Sequence, residues 1–306
     1  MKRLVVVIAA LALVACQNVN VRKPASTTTR VGAQLATGTY DNHEQVWRAR
    51  ETSPGAAQPP HVLIAIEATN QAEWSIWRVH LDAAQPLDAI WAMRRTDAAT
   101  WTPHRALATP TPGAAFDAQQ WTPLDACALR SVGTRFSADL AACTAIAPGI
   151  GADAALLPLD VESEGEWLHV RLYADQARGA DAREDARLVR WFGGWAALNG
   201  GGPKADAGSR DWHMDRGVRL GSEGGRYPLR WRDGGASGYS LTLERLTYRE
   251  GNVPVLKLSV VDDRDGRALA YAWANPEATR IGINLGWAQI GLDREDVAAS
   301  APAPTP

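Results

Sequence analysis

Glu73-Trp74-Ser75-Ile76-Trp77-Arg78-Val79-His80-Leu81 sets the period from which the fold follows. Side chains alternate along a strand, so Trp74, Ile76 and Arg78 share one face and Ser75, Trp77 and Val79 the other. Large apolar groups on both faces predict a strand packed on its inside and partly covered on its outside. Similar runs lie to either side. His61–Ala68 and Leu87–Arg94 are bounded by polar or Pro-containing breaks. Ala126–Ser131 and Thr134–Ala138 flank Val132-Gly133, a hairpin turn. Glu164-Gly165-Glu166 leads into the alternating run Trp167–Tyr173. Helix is expected only in short pieces near Asp41–Arg50 and Phe116–Gln120.

Val189–Trp195 opens a second half, followed by a Gly- and Asp-rich loop, Asn199–Ser209. Strands are predicted over Tyr227–Arg232, Tyr239–Tyr248, Val255–Val261, Ala268–Ala274 and Ile281–Leu292. The breaks Glu250-Gly251-Asn252 and Asp262–Gly266 form turns, which gives an antiparallel meander. Along Leu241, Leu243, Leu246 and Tyr248 the apolar phase slips by one, which predicts a bulge near Glu244-Arg245. The chain reads as all-β, in two units that divide near Arg187–Arg190.

The 306 residues carry 32 Lys and Arg against 34 Asp and Glu, a net charge of -2. That balance argues against a nucleic-acid partner, which asks for a basic face. Met1-Lys2-Arg3 precedes the apolar run Leu4–Leu13, a secretory signal layout too short to span a bilayer. Leu13-Val14-Ala15-Cys16 resembles a bacterial lipobox. The resemblance implies cleavage after residue 15 and lipid attachment at Cys16, with Gln17 directing the protein to the outer membrane. Three acyl chains exceed what stable anchoring needs. Residues 16–36 then read as a lipidated, flexible tether, and 296–306 as a disordered Ala/Pro tail.

Cys127 and Cys143 remain, an even pair in an oxidising compartment, which predicts a disulfide; two buried thiols are the alternative. The six histidines show no pair at helical metal-ligand spacing, so no metal site is expected. No nucleophile elbow, Walker loop or dinucleotide fingerprint occurs, so no catalytic residue can be named.

Thr37-Gly38-Thr39-Tyr40-Asp41-Asn42-His43-Glu44-Gln45 is similar to the opening motif of the CpcT/CpeT family of phycobiliprotein lyases. Gln85-Pro86, the pair Cys127 and Cys143, and the run Trp167–Tyr173 follow in family order. The resemblance covers roughly residues 36–187 and implies a calycin-like antiparallel β-barrel over 37–187. A second antiparallel β-meander unit over 188–295 then follows it. It also implies tetrapyrrole chemistry, the attachment of an open-chain pigment to a protein thiol. The chain departs from the family at Leu87-Asp88-Ala89-Ile90, where cationic groups for the pigment's propionates are missing.

Tyr40, Asp41, Asn42, Glu44, Gln45 and Trp47 are the ligand-binding candidates, hydrogen-bonding groups set beside aromatic rings. Two roles are open to them: orienting a ligand in a barrel mouth, or capping a short helix with Glu44 at its N3 position. The first role makes the protein a carrier of a small amphipathic or apolar, tetrapyrrole-like ligand. A structural lipoprotein contacting another envelope protein, and a chromophore lyase, are the alternatives.

Overall fold

The computed structural model describes residues 35–111, 113–206, 208–248 and 253–295. Cys16, the signal segment, most of the tether and the 296–306 tail lie outside the described residues.

Eleven strands fall within the first half: β1 (Gly38–Asp41), β2 (His61–Ala68), β3 (Trp74–Asp82), β4 (Leu87–Asp97), β5 (Thr100–Ala106), β6 (Trp121–Pro123), β7 (Leu129–Val132), β8 (Arg135–Ser137), β9 (Pro158–Glu164), β10 (Trp167–Leu172) and β11 (Glu184–Leu188). Ten of them close an antiparallel barrel in the order β1-β2-β3-β4-β5-β7-β8-β9-β10-β11, with β11 back on β1. Strand β6 pairs with β5 over His104–Ala106, beyond the stretch at Thr100–Trp101 that pairs with β7. Closure leaves the barrel without a free edge.

The alternation read in residues 73–81 holds. Trp77, Val79 and Leu81 point into the barrel with Val62, Ile64, Ile66, Trp91, Met93, Leu168 and Val170. On the outside, Trp74 joins Ala92 and Trp121 in a small cluster, against which Ile76, Ile90 and Phe116 pack. Trp77 is 1% exposed, and Trp91 and Met93 are fully buried. Each such side chain contributes about 1.5–3 kcal/mol by leaving water. The lumen is a packed core rather than an open cavity.

Two helices accompany the barrel. The first, α1 (His43–Thr52), lies where the short helical piece was expected. The second, α2 (Leu140–Ile150), was not expected. Asp139 starts it by accepting a hydrogen bond from Ala142 N at 3.1 Å, and the Cys127–Cys143 disulfide ties it to the barrel.

The second half forms two four-stranded antiparallel sheets. One has the order β13-β12-β19-β18 and uses β12 (Trp191–Asn199), β13 (Trp212–Gly221), β18 (Arg280–Asn284) and β19 (Ala288–Arg294). The other is the meander β14 (Glu223–Arg230), β15 (Ala236–Tyr248), β16 (Val253–Asp262) and β17 (Ala268–Ala274). Their inner faces share one core around Phe192, Leu220, Leu241, Leu258 and Leu292. The barrel core runs as far as Ala186, and this second core begins at Phe192.

The expected bulge near Glu244-Arg245 is corrected. Strand β15 pairs with β16 without a break from Tyr239 to Tyr248. Arg245 takes the inward position that follows Leu241 and Leu243, and it is 2% exposed. The apolar phase slips because a charged side chain is buried, not because the backbone gains a residue. A register shift does occur opposite, on β14 at Gly224. That residue has φ +78°, and a Cβ there would come within 2.4 Å of the His43 ring. Only glycine suits that backbone and that approach.

Candidate functional site

Glycine at position 38 opens the motif because its φ is +148° and a Cβ would strike Leu188. The chain then enters β1, with Tyr40 opposite Leu188 and Asp41 opposite Arg187. The Tyr40 ring joins the barrel core, and its hydroxyl donates to Ala36 O at 3.0 Å. Burial pushes its pKa up.

Asp41 accepts from the His43 backbone N at 2.7 Å and lies 2.7 Å from His61 Nε2. That hydrogen bond raises the His61 pKa against the opposing effect of burial. Asn42 is fully buried and stands at the start of α1, but its side chain does not cap the helix. Its Oδ1 accepts from Val62 N at 2.7 Å. Its Nδ2 lies within 3.0 Å of Gln45 Oε1, 2.9 Å of Pro60 O and 2.5 Å of Glu184 Oε2. Asn42 is a cross-brace between α1, β2 and β11. With Asn42 as the N-cap, Gln45 rather than Glu44 occupies N3. Gln45 spans to β11 by donating to Arg183 O and accepting from Asp185 N.

Behind Asn42 lies a buried acidic pair that no sequence motif marks. Glu184 and Asp175 share one guanidinium, that of Arg178. Two carboxylates facing one cation leave excess negative charge out of water. Burial first, and Asp175 second, raise the Glu184 pKa to about 7. Its position was visible in β11, where Glu184 shares a phase with Ala186 and Leu188.

Glu44 turns the other way, toward the second half. Its carboxylate meets Arg187 NH1 at 2.7 Å, Arg48 NH2 at 2.7 Å and Thr247 N at 3.1 Å. Arg187 continues to Glu223 at 2.7 Å, and Glu223 to Arg245 at 2.9 Å. Arg245 reaches Glu166 at 3.2 Å, and Arg190 binds both Glu166 and Glu277 at 2.6 Å. This chain of alternating charge runs from the barrel through the connecting segment into the β14–β15 pair and the loop between β17 and β18. Burial raises the Glu223 pKa and lowers that of Arg245, each against the pull of its partners.

The motif therefore spreads rather than converging on a lumen. Tyr40 faces inward, while Asp41 and Asn42 tie the barrel end to neighbouring strands. Trp47 packs edge-on against Tyr248 at 5.4 Å. Glu44 and Gln45 reach one open feature, a groove of about 780 Å³ between α1 and the β9–β10 hairpin. Arg48, Ala49 and Thr52 form one wall and Glu164, Glu166, Trp167, His169 and Asp185 the other. The rings of Trp167 and His169 lie parallel, 7° apart with centroids 6.4 Å apart, and Arg187 sits over the indole at 5.0 Å. Two parallel aromatic rings beside carboxylates and an amide can hold a molecule with an apolar part and polar edges. A second cavity of about 610 Å³ lies outside the barrel wall, over Ile76, Ile90, Phe116 and Trp121.

Among the described residues, no cluster of three or more His, Cys, Asp or Glu is placed to hold a metal ion. No helix there is long and apolar enough to cross a membrane. No family model, no curated protein and no solved structure matches this chain.

Proposed function

We propose that the protein is a lipid-anchored envelope protein that binds a small amphipathic molecule in the α1–β10 groove, with the barrel as its rigid support. The supporting observation is the groove itself, which the parallel rings of Trp167 and His169 line together with Glu44 and Gln45. Inside the barrel, Trp77, Trp91 and Met93 belong to the apolar core. Anchoring through Cys16 at the outer membrane, and a tetrapyrrole-like ligand, belong to this reading through the lipobox and the CpcT/CpeT resemblance.

Native mass spectrometry with absorption spectroscopy, on protein purified from its own membranes, tests it. The expected result is a bound mass that Trp167→Ala loses and that Ala49→Trp, which fills the groove, also excludes. Biliverdin titration gives a second readout, and an adduct passed to an acceptor thiol would mark the chromophore-lyase reading. Wild-type protein with no bound mass and no biliverdin affinity overturns the groove proposal.

The packed lumen favours one further reading, a structural lipoprotein that contacts another envelope protein. Crosslinking in intact cells separates it, since it predicts a protein adduct that Ala49→Trp leaves unchanged.

A further inference from the structure

Four aromatic rings form a continuous ribbon from α1 across the outer face of the meander sheet. Trp47 meets Tyr248 at 5.4 Å, Tyr248 meets Trp273 at 5.6 Å, and Trp273 meets Tyr271 at 5.4 Å. Tyr271 and Trp273 are 57% and 56% exposed, and Val253, which pairs with Tyr248, is 53% exposed. Large aromatic side chains this exposed and this contiguous mark a contact surface. Among the described residues, no hydrogen bond within the chain engages the indole nitrogens of Trp47 and Trp273 or the hydroxyls of Tyr248 and Tyr271. Each ring thus keeps an apolar body and a free polar tip. Lys257 lies over Tyr271 at 5.9 Å, with Glu244 at 3.5 Å as its counter-charge, so the ribbon is close to neutral.

We propose that this ribbon rests in the headgroup layer of the membrane that holds the lipid anchor. Trp and Tyr with a buried body and a wet tip concentrate at that depth. Ring orientation favours a bilayer over a glycan chain. A sugar polymer stacks best on coplanar rings, whereas these planes turn by 73°, 45° and 24° along the ribbon. A fluid interface makes no such demand.

The tether supports the same occupant. Chain 17–34 separates Cys16 from the first described residue and spans at most about 60 Å when extended. It enters β1 beside Val189, whose N donates to Thr39 O at 2.7 Å. Arg190, the next residue, holds Pro276 O and Glu277, just past Trp273. The point where the tether joins the barrel and the ribbon therefore lie on neighbouring segments. The proposal rests on the anchored reading and on no property of the groove.

The test uses the acylated full chain in vesicles containing bromine-labelled phosphatidylcholine, with flotation and tryptophan quenching read on the same sample. Flotation together with quenching that Trp273→Phe largely removes, and that Trp91→Phe in the barrel core leaves in place, supports the proposal. Protein that floats with quenching unchanged by Trp273→Phe overturns the ribbon contact while keeping the anchor. Protein that stays at the bottom of the gradient overturns both. A Trp273 emission shift induced by soluble peptidoglycan fragments, without quenching by vesicles, assigns the ribbon to glycan and overturns the membrane contact.

Discussion

Glu184 carries the clearest consequence at the residue scale. Its folded pKa, about 7, lies above the ordinary 4.5. A carboxyl raised in this way adds stability that is complete below about pH 4.5 and is lost as pH rises toward 7. Glu184→Gln keeps a neutral side chain at every pH. Its melting temperature relative to wild type should therefore climb between pH 5 and pH 7.5 and level off above. A difference that stays flat across that range would show that Glu184 titrates normally. Asn42 makes a second case. Truncation strips partners from Val62 N, Pro60 O and Glu184 together, so Asn42→Ala should lower stability by about 1–3 kcal/mol. Thermal or urea unfolding checks this, and an unchanged midpoint would remove the cross-brace role. The sequence exposed the motif 40–47 as unusually polar beside aromatics. It could not tell which of these groups would meet one another, because their partners Glu184, Arg187 and Thr247 lie far along the chain.

At the scale of elements, strands were legible wherever one face is apolar throughout. Trp74–Asp82 and Ala268–Ala274 follow their alternation closely. Helix α2 was not legible, because Leu140-Ala141-Ala142-Cys143 has little amphipathic contrast and Pro148 sits near its end. Its position is fixed by Asp139 and by Cys143, features of tertiary context. The disulfide spans a sequence separation of 16. The chain-entropy account gives a loop of that length about 3 kcal/mol. The double variant Cys127→Ala/Cys143→Ala should lose stability of that order in denaturant titrations, with its far-ultraviolet spectrum largely kept. The phase slip in β15 shows the opposite limit. An inward arginine mimics a bulge in the sequence, and only its partners Glu223 and Glu166 reveal which is present.

On the scale of the whole molecule, the two hydrophobic cores communicate through buried charge. Breaking such a network by removing one member strands its partners, typically at about 3–5 kcal/mol. Glu223→Ala leaves Arg187 and Arg245 short of a counter-ion, so a loss of that size is expected. Calorimetry should show wild type melting in one transition and the variant in two, the barrel apart from the sheets. A single, merely shifted transition would place the coupling in the apolar contacts instead. The barrel core ends at Ala186 and the second core begins at Phe192. The charged bridge between them was hidden, since Arg187, Glu223 and Arg245 look individually like ordinary solvated residues.

Barrel closure has one more consequence, in time rather than in energy. Strand β1 is the first of the barrel to be synthesised, yet one of its neighbours is β11, with Tyr40 waiting for Leu188. Loop-closure entropy must be overcome before that pairing contributes anything, and folds dominated by distant pairings reach the native state in milliseconds to seconds. Until residue 188 arrives, the growing sheet shows bare backbone at β1, a surface that invites pairing with other chains. The order of the strands therefore makes the interval between synthesis and closure the vulnerable period of this protein's life, and a holdase chaperone the factor its yield should depend on.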